Sequence, residues 1–414
     1  MAPESSHGPW ATVDSHPGNT SSPALSAHRP CPICDALATR PVLAMDGVQL
    51  YTDSASVPKR LDFRYVQCTA CWCLYMNPAL TDYGVSVLFD EADQSYGAIE
   101  GRPDEQIRWL DERALLESGS VVLDVGCYDA QFLAHLADDI VKVGVDIDPN
   151  AIERGRARLA GQDAELITGD FETFATSHAP DTIVMYHVLE HLARPRQALA
   201  RLRSLAHAGT RLVVEVPIVE RGVTNDVVGF YSIHHMTSFS RQSLRNCLAR
   251  SGWEPLEWHE QEDYNGCRVL ATPTAPASAV TGDANDFEAT LATLTAWNEA
   301  ATAVGRRLSA IDSARCLVWG AGVHTEMLYQ RTTLFQRTPT REYVIVDNDL
   351  RKQGKTWRGI SILAPAELRE LGPLAGIPLV VSSYQHQAAM SSEAQSLGVA
   401  ARDIVELYDE ISVH

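Results

Sequence analysis

The sequence predicts an α/β protein in which two successive blocks of parallel sheet are covered by helices on both faces, with a small cysteine-bearing module ahead of them. Three observations predict this. Short apolar strand-like runs alternate with amphipathic helical stretches from Ser120 to about Thr272, the pattern of strands joined by helical crossovers. The alternation restarts beyond a linker at Cys316-Leu317-Val318-Trp319-Gly320-Ala321-Gly322, a strand running into a glycine turn. Two closely spaced cysteine pairs stand before both blocks.

At 414 residues the chain exceeds one ordinary core, so several domains are expected. Residues 1–29, rich in Ser, Pro, His and Gly, lack the basic start and apolar core of a secretory signal and read as a disordered tail. Residues 30–80 form the cysteine module, with strand-like Phe63-Arg64-Tyr65-Val66. The main block spans 81–272. A helical approach through Ile107-Arg108-Trp109-Leu110 leads to the strand Val121-Val122-Leu123-Asp124-Val125, and a helix begins at Phe132. Val141 to Val145 and Thr182-Ile183-Val184-Met185 are later strands, and Arg211 to Val216 closes the series. A stretch rich in Ala, Pro, Thr and Gly and a helix from Phe287 to about Ile311 make up 273–312. The last block, 313–414, holds the further strands Tyr343-Val344-Ile345-Val346-Asp347 and Leu379-Val380-Val381.

Charge and composition exclude some classes of function. Lys and Arg total 34 against 53 Asp and Glu, a formal net charge of -19, and such a surface repels a phosphate backbone. General nucleic-acid binding is therefore not expected, and Arg194, Arg196, Arg201 and Arg203 read as a solvated helix face. No apolar run approaches the ~20 residues that span a bilayer. Nine cysteines, an odd number with four in tight pairs, suit a reducing cytoplasm and a bound metal better than a disulfide framework. Monomer and homodimer both stay open.

Cys31-Pro32-Ile33-Cys34 and Cys68-Thr69-Ala70-Cys71 are two knuckles separated by 33 residues. Each delivers two thiolates to one metal, and together they complete a tetrahedral zinc site with no open position, hence a structural one. Cys73 is a poorer candidate by spacing, and Cys127, Cys247, Cys267 and Cys316 read as core residues.

The run Val122-Leu123-Asp124-Val125-Gly126-Cys127-Tyr128-Asp129-Ala130 takes a buried strand into an acid, a glycine and a helix. Gly126 permits close approach of a ligand to the backbone. Asp146, 22 residues beyond Asp124 at the end of the next strand, is placed to hold both hydroxyls of a ribose. A nicotinamide dinucleotide would fit these features, but Tyr128 and Ala130 stand where a pyrophosphate would demand glycine. S-adenosylmethionine carries no phosphate and accepts such a loop. Gly169-Asp170-Phe171, after the third strand, supplies an acid for an adenine amino group and an aromatic ring to stack on it.

Leu123-Asp124-Val125-Gly126, Val145-Asp146, Gly169-Asp170 and His187-Val188-Leu189-Glu190-His191 resemble the successive cofactor motifs of class I methyltransferases. From Cys31 onward the chain resembles sugar C-methyltransferases that act on nucleotide-linked deoxysugars. That resemblance extends to Val318-Trp319-Gly320-Ala321-Gly322 and Lys352-Gln353-Gly354-Lys355. It implies a zinc-binding N-terminal module, a Rossmann-like class I methyltransferase core and a second, C-terminal Rossmann-like domain. It also implies a cofactor contact at His187, and a small-molecule acceptor, namely a nucleotide sugar whose nucleotide portion the C-terminal domain helps to bind.

Methyl transfer from a sulfonium is a direct displacement that needs an aligned nucleophile and a base. His191, His234 and His235 are the candidates. Ser232-Ile233-His234-His235-Met236-Thr237-Ser238-Phe239-Ser240 resembles a family segment whose second histidine, a catalytic base there, falls on His235. His191 falls on a family histidine near the substrate. Ser232 and His234 stand where that segment has tyrosine and glutamate, and no serine-rich lid is evident around Tyr96-Gly97. O- or N-methylation of a non-sugar natural-product intermediate therefore stays open beside C-methylation of a sugar. A dinucleotide-dependent oxidoreductase and a non-catalytic zinc-dependent binding module are the readings from other classes.

Overall fold

A computed structural model describes residues 25–50, 59–89, 102–232, 234–261, 264–336 and 341–411. Most of the expected tail, the Tyr96-Gly97 stretch and Ile233 of the histidine segment lie outside the described residues.

The N-terminal part holds β1 (Ser26–Ala27), β2 (Thr39–Leu50), β3 (Lys59–Cys68), β4 (Leu74–Met76) and β5 (Ala79–Leu80). β2, β3 and β4 form an antiparallel meander, and β1 pairs with β5, so the chain is built into the module from Ser26, inside the stretch expected to be tail. Helices α1 (Asp82–Phe89) and α2 (Arg102–Asp111) lead into the central sheet.

The central strands are β6 (Val121–Val125), β7 (Val141–Asp146), β8 (Ala164–Thr168), β9 (Thr182–Tyr186) and β10 (Arg211–Pro217). They are parallel in the spatial order β8-β7-β6-β9-β10, with α3 (Gln131–Ala134), α4 (Pro149–Arg158) and α5 (Pro195–Leu205) among their connections. The inner strands β6, β7 and β9 are mostly apolar and buried because both faces are covered, whereas β8 at the edge is partly exposed. The chain leaves β6 toward β7 on one side and returns as β9 on the other, which opens a crevice at the carboxyl ends of these strands.

The order continues through β11 (Thr237–Ser238), α6 (Arg241–Arg250), β12 (Trp253–Glu260) and β13 (Gly266–Pro273). The series expected to close at Val216 in fact gains two antiparallel strands, β13 beside β10 and β12 at the edge. Pro255 and a bulge between Pro255 and Glu257 break the periodicity of β12, as suits an edge strand. β11 pairs with β4, so a strand from the central block completes the N-terminal sheet.

Helix α7 (Asn285–Ser309) crosses to the last block. There β14 (Arg315–Trp319), α8 (Val323–Arg331), β15 (Glu342–Val346), β16 (Thr356–Trp357), β17 (Ile360–Leu363), β18 (Leu379–Val381), α9 (Gln387–Ser396) and β19 (Ile404–Val405) build a six-stranded sheet. It is Rossmann-like, in the order β16-β17-β15-β14-β18-β19, with β16 alone antiparallel. Where a dinucleotide turn would carry a third glycine, the Thr325 hydroxyl donates to the Gly320 carbonyl at 2.5 Å and is buried, so that position serves packing.

One apolar cluster runs from Phe63 and Tyr65 through Tyr231, Met236 and Trp297 to Val318, Ile345 and Trp357, joining both outer parts. A buried ion pair reinforces the junction. Arg358 meets Glu326 at 2.6 Å, donates to the Gly47 carbonyl at 2.9 Å, and lies 3.8 Å from the centroid of the Tyr329 ring. Arg358→Ala leaves Glu326 buried without its cation and is expected to destabilise the chain by about 3–5 kcal/mol. A lowered thermal midpoint, partly recovered by adding Glu326→Gln, is the result to look for.

Candidate active site

The crevice at the carboxyl edge gathers the residues singled out along the sequence. Asp124 is buried in β6, and burial, reinforced by the nearby Asp146, pushes its carboxyl up to about 8. Gly126 follows at φ 80°, and a Cβ there would sit 2.2 Å from Cγ2 of Val188. Its glycine character therefore answers to backbone conformation and to Val188, besides any ligand. At the end of β7, Asp146 accepts from the Tyr128 N–H through Oδ2 and from the Asp148 N–H through Oδ1, both at 2.9 Å. Each carboxylate oxygen keeps a lone pair for a further donor.

These groups open onto a cavity of about 340 Å³, within the size range of small-ligand sites. Asp124, Gly126, Asp146, Asp170 and Phe171 line it on the side of β6 to β8, and His187 and His191 line it beyond β9.

His187 follows β9 in a left-handed conformation, φ 56°. Its Nε2 meets Glu215 Oε1 at 3.0 Å and its Nδ1 lies 3.4 Å from Glu190 Oε1. Burial would lower the imidazole, but the two carboxylates outweigh it and raise its pKa. Burial would likewise raise both carboxyls. Glu190 is nonetheless held down at about 2, mainly by His187, and Glu215 also at about 2 by His187 and Arg268. Arg268 stands opposite Glu215 in the β10–β13 register and binds its Oε2 at 2.6 Å. The same guanidinium reaches Glu105 of α2 at 2.6 and 3.1 Å, and the Tyr264 hydroxyl donates to Glu215 Oε1 at 3.0 Å and contacts His187.

The three candidate histidines are brought together unequally. His191 lines the cavity, and its Nδ1–H donates to the His234 carbonyl at 2.9 Å. His235 packs edge-on against His191, ring centroids 4.9 Å apart, and is absent from the cavity lining. Burial, with His191 beside it, lowers the His235 pKa to about 3. His234 is lowered to about 3 by burial and by both neighbours, and its carbonyl accepts the His191 Nδ1–H. The Tyr65 hydroxyl points at the carbonyls of Ser232 and His235, at 3.1 and 2.5 Å, and so ties this loop to the N-terminal sheet.

The sequence reading missed Glu215, Tyr264, Arg268 and Glu105. A signal existed for two of them: Glu215 and Arg268 are charges flanked by apolar residues in the interior of their strands. Away from the cavity, Cys31, Cys34, Cys68 and Cys71 bring their sulfurs within 4.8 Å of one another, a cluster able to form a zinc site. Cys73 is outside this set.

Residues 99–257 match the family model described as a methyltransferase domain, a little over a third of the chain. No curated protein sequence matches. Among solved structures, an S-adenosylmethionine-dependent methyltransferase from Clostridium acetobutylicum is similar at 9% identity and TM-score 0.38, over 47% of this chain and 99% of its own. Magnesium protoporphyrin IX methyltransferase from Synechocystis is similar at 17% identity and TM-score 0.33, over 47% of this chain and 92% of its own. The N-methyltransferase NodS from Bradyrhizobium japonicum is similar at 18% identity and TM-score 0.35, over 44% and 93%. These partial likenesses carry no argument about the acceptor. No described helix is long and apolar enough to cross a membrane. With the family match laid over the cavity-bearing sheet, the chain is an enzyme, an S-adenosylmethionine-dependent methyltransferase.

Proposed function

We propose that the chain transfers the methyl group of S-adenosylmethionine to a polar small molecule, a nucleotide sugar or a related biosynthetic intermediate. The observation that carries this reading is one cavity with carboxylates on one wall and His191 on the other. Asp146 holds the ribose hydroxyls, Asp170 the adenine amino group, and Phe171 stacks on the base. Asp124 faces the positively charged portion of the cofactor. The acceptor enters on the side of His191. The Nδ1–H bond to the His234 carbonyl orients the ring, and Nε2 is the position from which His191 would act as a base.

In the transfer, the acceptor atom gives its proton to the base and forms a bond to the methyl carbon. The carbon–sulfur bond breaks with its electron pair on sulfur, leaving S-adenosylhomocysteine. His235, held behind His191 with a depressed pKa, positions that ring. His187, clamped between Glu190 and Glu215, fixes the floor of the cavity. C-methylation of a deoxysugar follows from the family resemblance. Ser232 and His234 favour the second reading, O- or N-methylation, because enolising a keto-sugar needs an acid beside the base.

The cysteine cluster is proposed to hold a structural zinc. Sulfurs of a tetrahedral site with Zn–S of about 2.3 Å lie roughly 3.8 Å apart. The Cys31–Cys71 and Cys34–Cys68 pairs both stand at 3.5 Å, and the Ala70 N–H donates to Cys68 Sγ at 3.3 Å. Atomic emission is expected to find one zinc per chain, and Cys68→Ser to lose it with a lower thermal midpoint. A wild-type protein free of zinc would remove this assignment.

Calorimetry tests the cofactor. S-adenosylmethionine should bind and NAD should not, and Asp146→Ala should weaken binding ~10-fold, as expected for lost charge-assisted hydrogen bonds. Binding of NAD alone would overturn the reading. Because the Asp124 carboxyl sits near 8 and a cationic ligand favours its charged form, affinity should rise with pH up to about 8, with proton release. Once an acceptor is in hand, His191→Ala should reduce turnover ~10²–10⁴-fold.

A further inference from the structure

Glu190 sits on the single helical turn Leu189–His191 and is 1% exposed. Among the described residues its carboxylate oxygens make only long ion-pair contacts and no hydrogen bond of good geometry. Its nearest neighbours of opposite character are His187 Nδ1 at 3.4 Å and His191 Nε2 at 3.9 Å. His187 already has Glu215 at its other nitrogen, at 3.0 Å. The His187 contact is long and leaves most of the lone pairs of this buried carboxylate unfilled, and a cation placed against them would complete its set of partners.

The surroundings supply the rest of a coordination sphere. One oxygen of Glu190 and one nitrogen each of His191 and His235 all lie within 4.8 Å of one another. Ligands about 2.1 Å from a shared ion stand roughly 3–4 Å apart, so small side-chain rotations close the set. The His191 Nδ1–H bond to the His234 carbonyl turns Nε2 toward Glu190, the way a metal-binding imidazole is oriented by a carbonyl behind it. Of the three only His191 lines the cavity, so an ion held among them would reach the acceptor past that ring.

We propose that Glu190, His191 and His235 bind a divalent cation whose open positions chelate two adjacent oxygens of the acceptor, a vicinal diol or a hydroxyl beside a carbonyl. The proposal rests on the methyl-transfer reading and specifies how the acceptor is held and activated: the two histidines act as ligands, and the ion takes over the task of the base. The cation-bound hydroxyl loses its proton to solvent and its oxygen bonds to the methyl carbon. The carbon–sulfur bond breaks with the electron pair on sulfur. Two imidazoles and one carboxylate with open positions suit first-row divalent ions, and they differ from the four-thiolate site in chemistry as well as place.

The test is titration of zinc-replete protein, its cysteine site filled, with Mn2+ in the presence of S-adenosylhomocysteine, followed by electron paramagnetic resonance. One Mn2+ per chain should bind, with affinity falling at least ~10-fold in both Glu190→Gln and His235→Gln while circular dichroism stays unchanged. Two variants guard against one failing to fold. If neither Mn2+ nor Co2+ binds at millimolar concentration while S-adenosylhomocysteine binds normally, the cation site is overturned and the methyltransferase reading stands. Binding that both folded variants leave unaltered also overturns it. Failure of S-adenosylhomocysteine to bind, measured separately by calorimetry, would instead strike the underlying reading.

Discussion

The buried pair between Glu215 and Arg268 is the constraint on which the site depends. Both side chains are almost wholly removed from water, a costly arrangement unless every charge finds partners. Their register across β10 and β13 supplies the first contact. The remaining ones reach outward, from Arg268 to Glu105 on α2 and from Glu215 to His187 and Tyr264. One ion pair thus joins the antiparallel extension of the sheet, the helix before β6 and the turn after β9. The helix and the turn both line the cavity, and the strand pair braces them from behind.

Much of this was legible along the chain, for identifiable reasons. Asp124, Asp146 and Asp170 sit at or just beyond strand ends, so the carboxyl edge of a parallel sheet gathers them once the strands are recognised. The cysteine knuckles carry their own spacing. What escaped depends on pairing between distant segments. β11 is two residues long and exists through β4. Glu215 and Arg268 acquire meaning only when β13 is known to lie beside β10. The order of the histidines was also hidden, because the ring behind and the ring in front are separated by a packing contact, not by sequence.

The N-terminal module is more than an appendage. Its sheet takes β11 as an outer strand, and its apolar side shares a cluster with Trp297 and the C-terminal sheet. Arg29, two residues before the first knuckle, donates to the carbonyls of Ala193, at the cavity lip, and Met236. Cysteine cluster, cavity lip and histidine loop are thereby parts of one rigid junction.

That junction grips the histidine loop by its main chain. The Tyr65 hydroxyl, the Arg29 guanidinium, the Met76 N–H and His191 Nδ1 all address carbonyls of Ser232, His234, His235 or Met236. A loop held this way is fixed largely through its main chain and through the buried Met236 side chain. Exchanges of the side chains at 232, 234 and 235 would therefore leave in place the carbonyls that orient the His191 ring and fasten the loop to the N-terminal sheet.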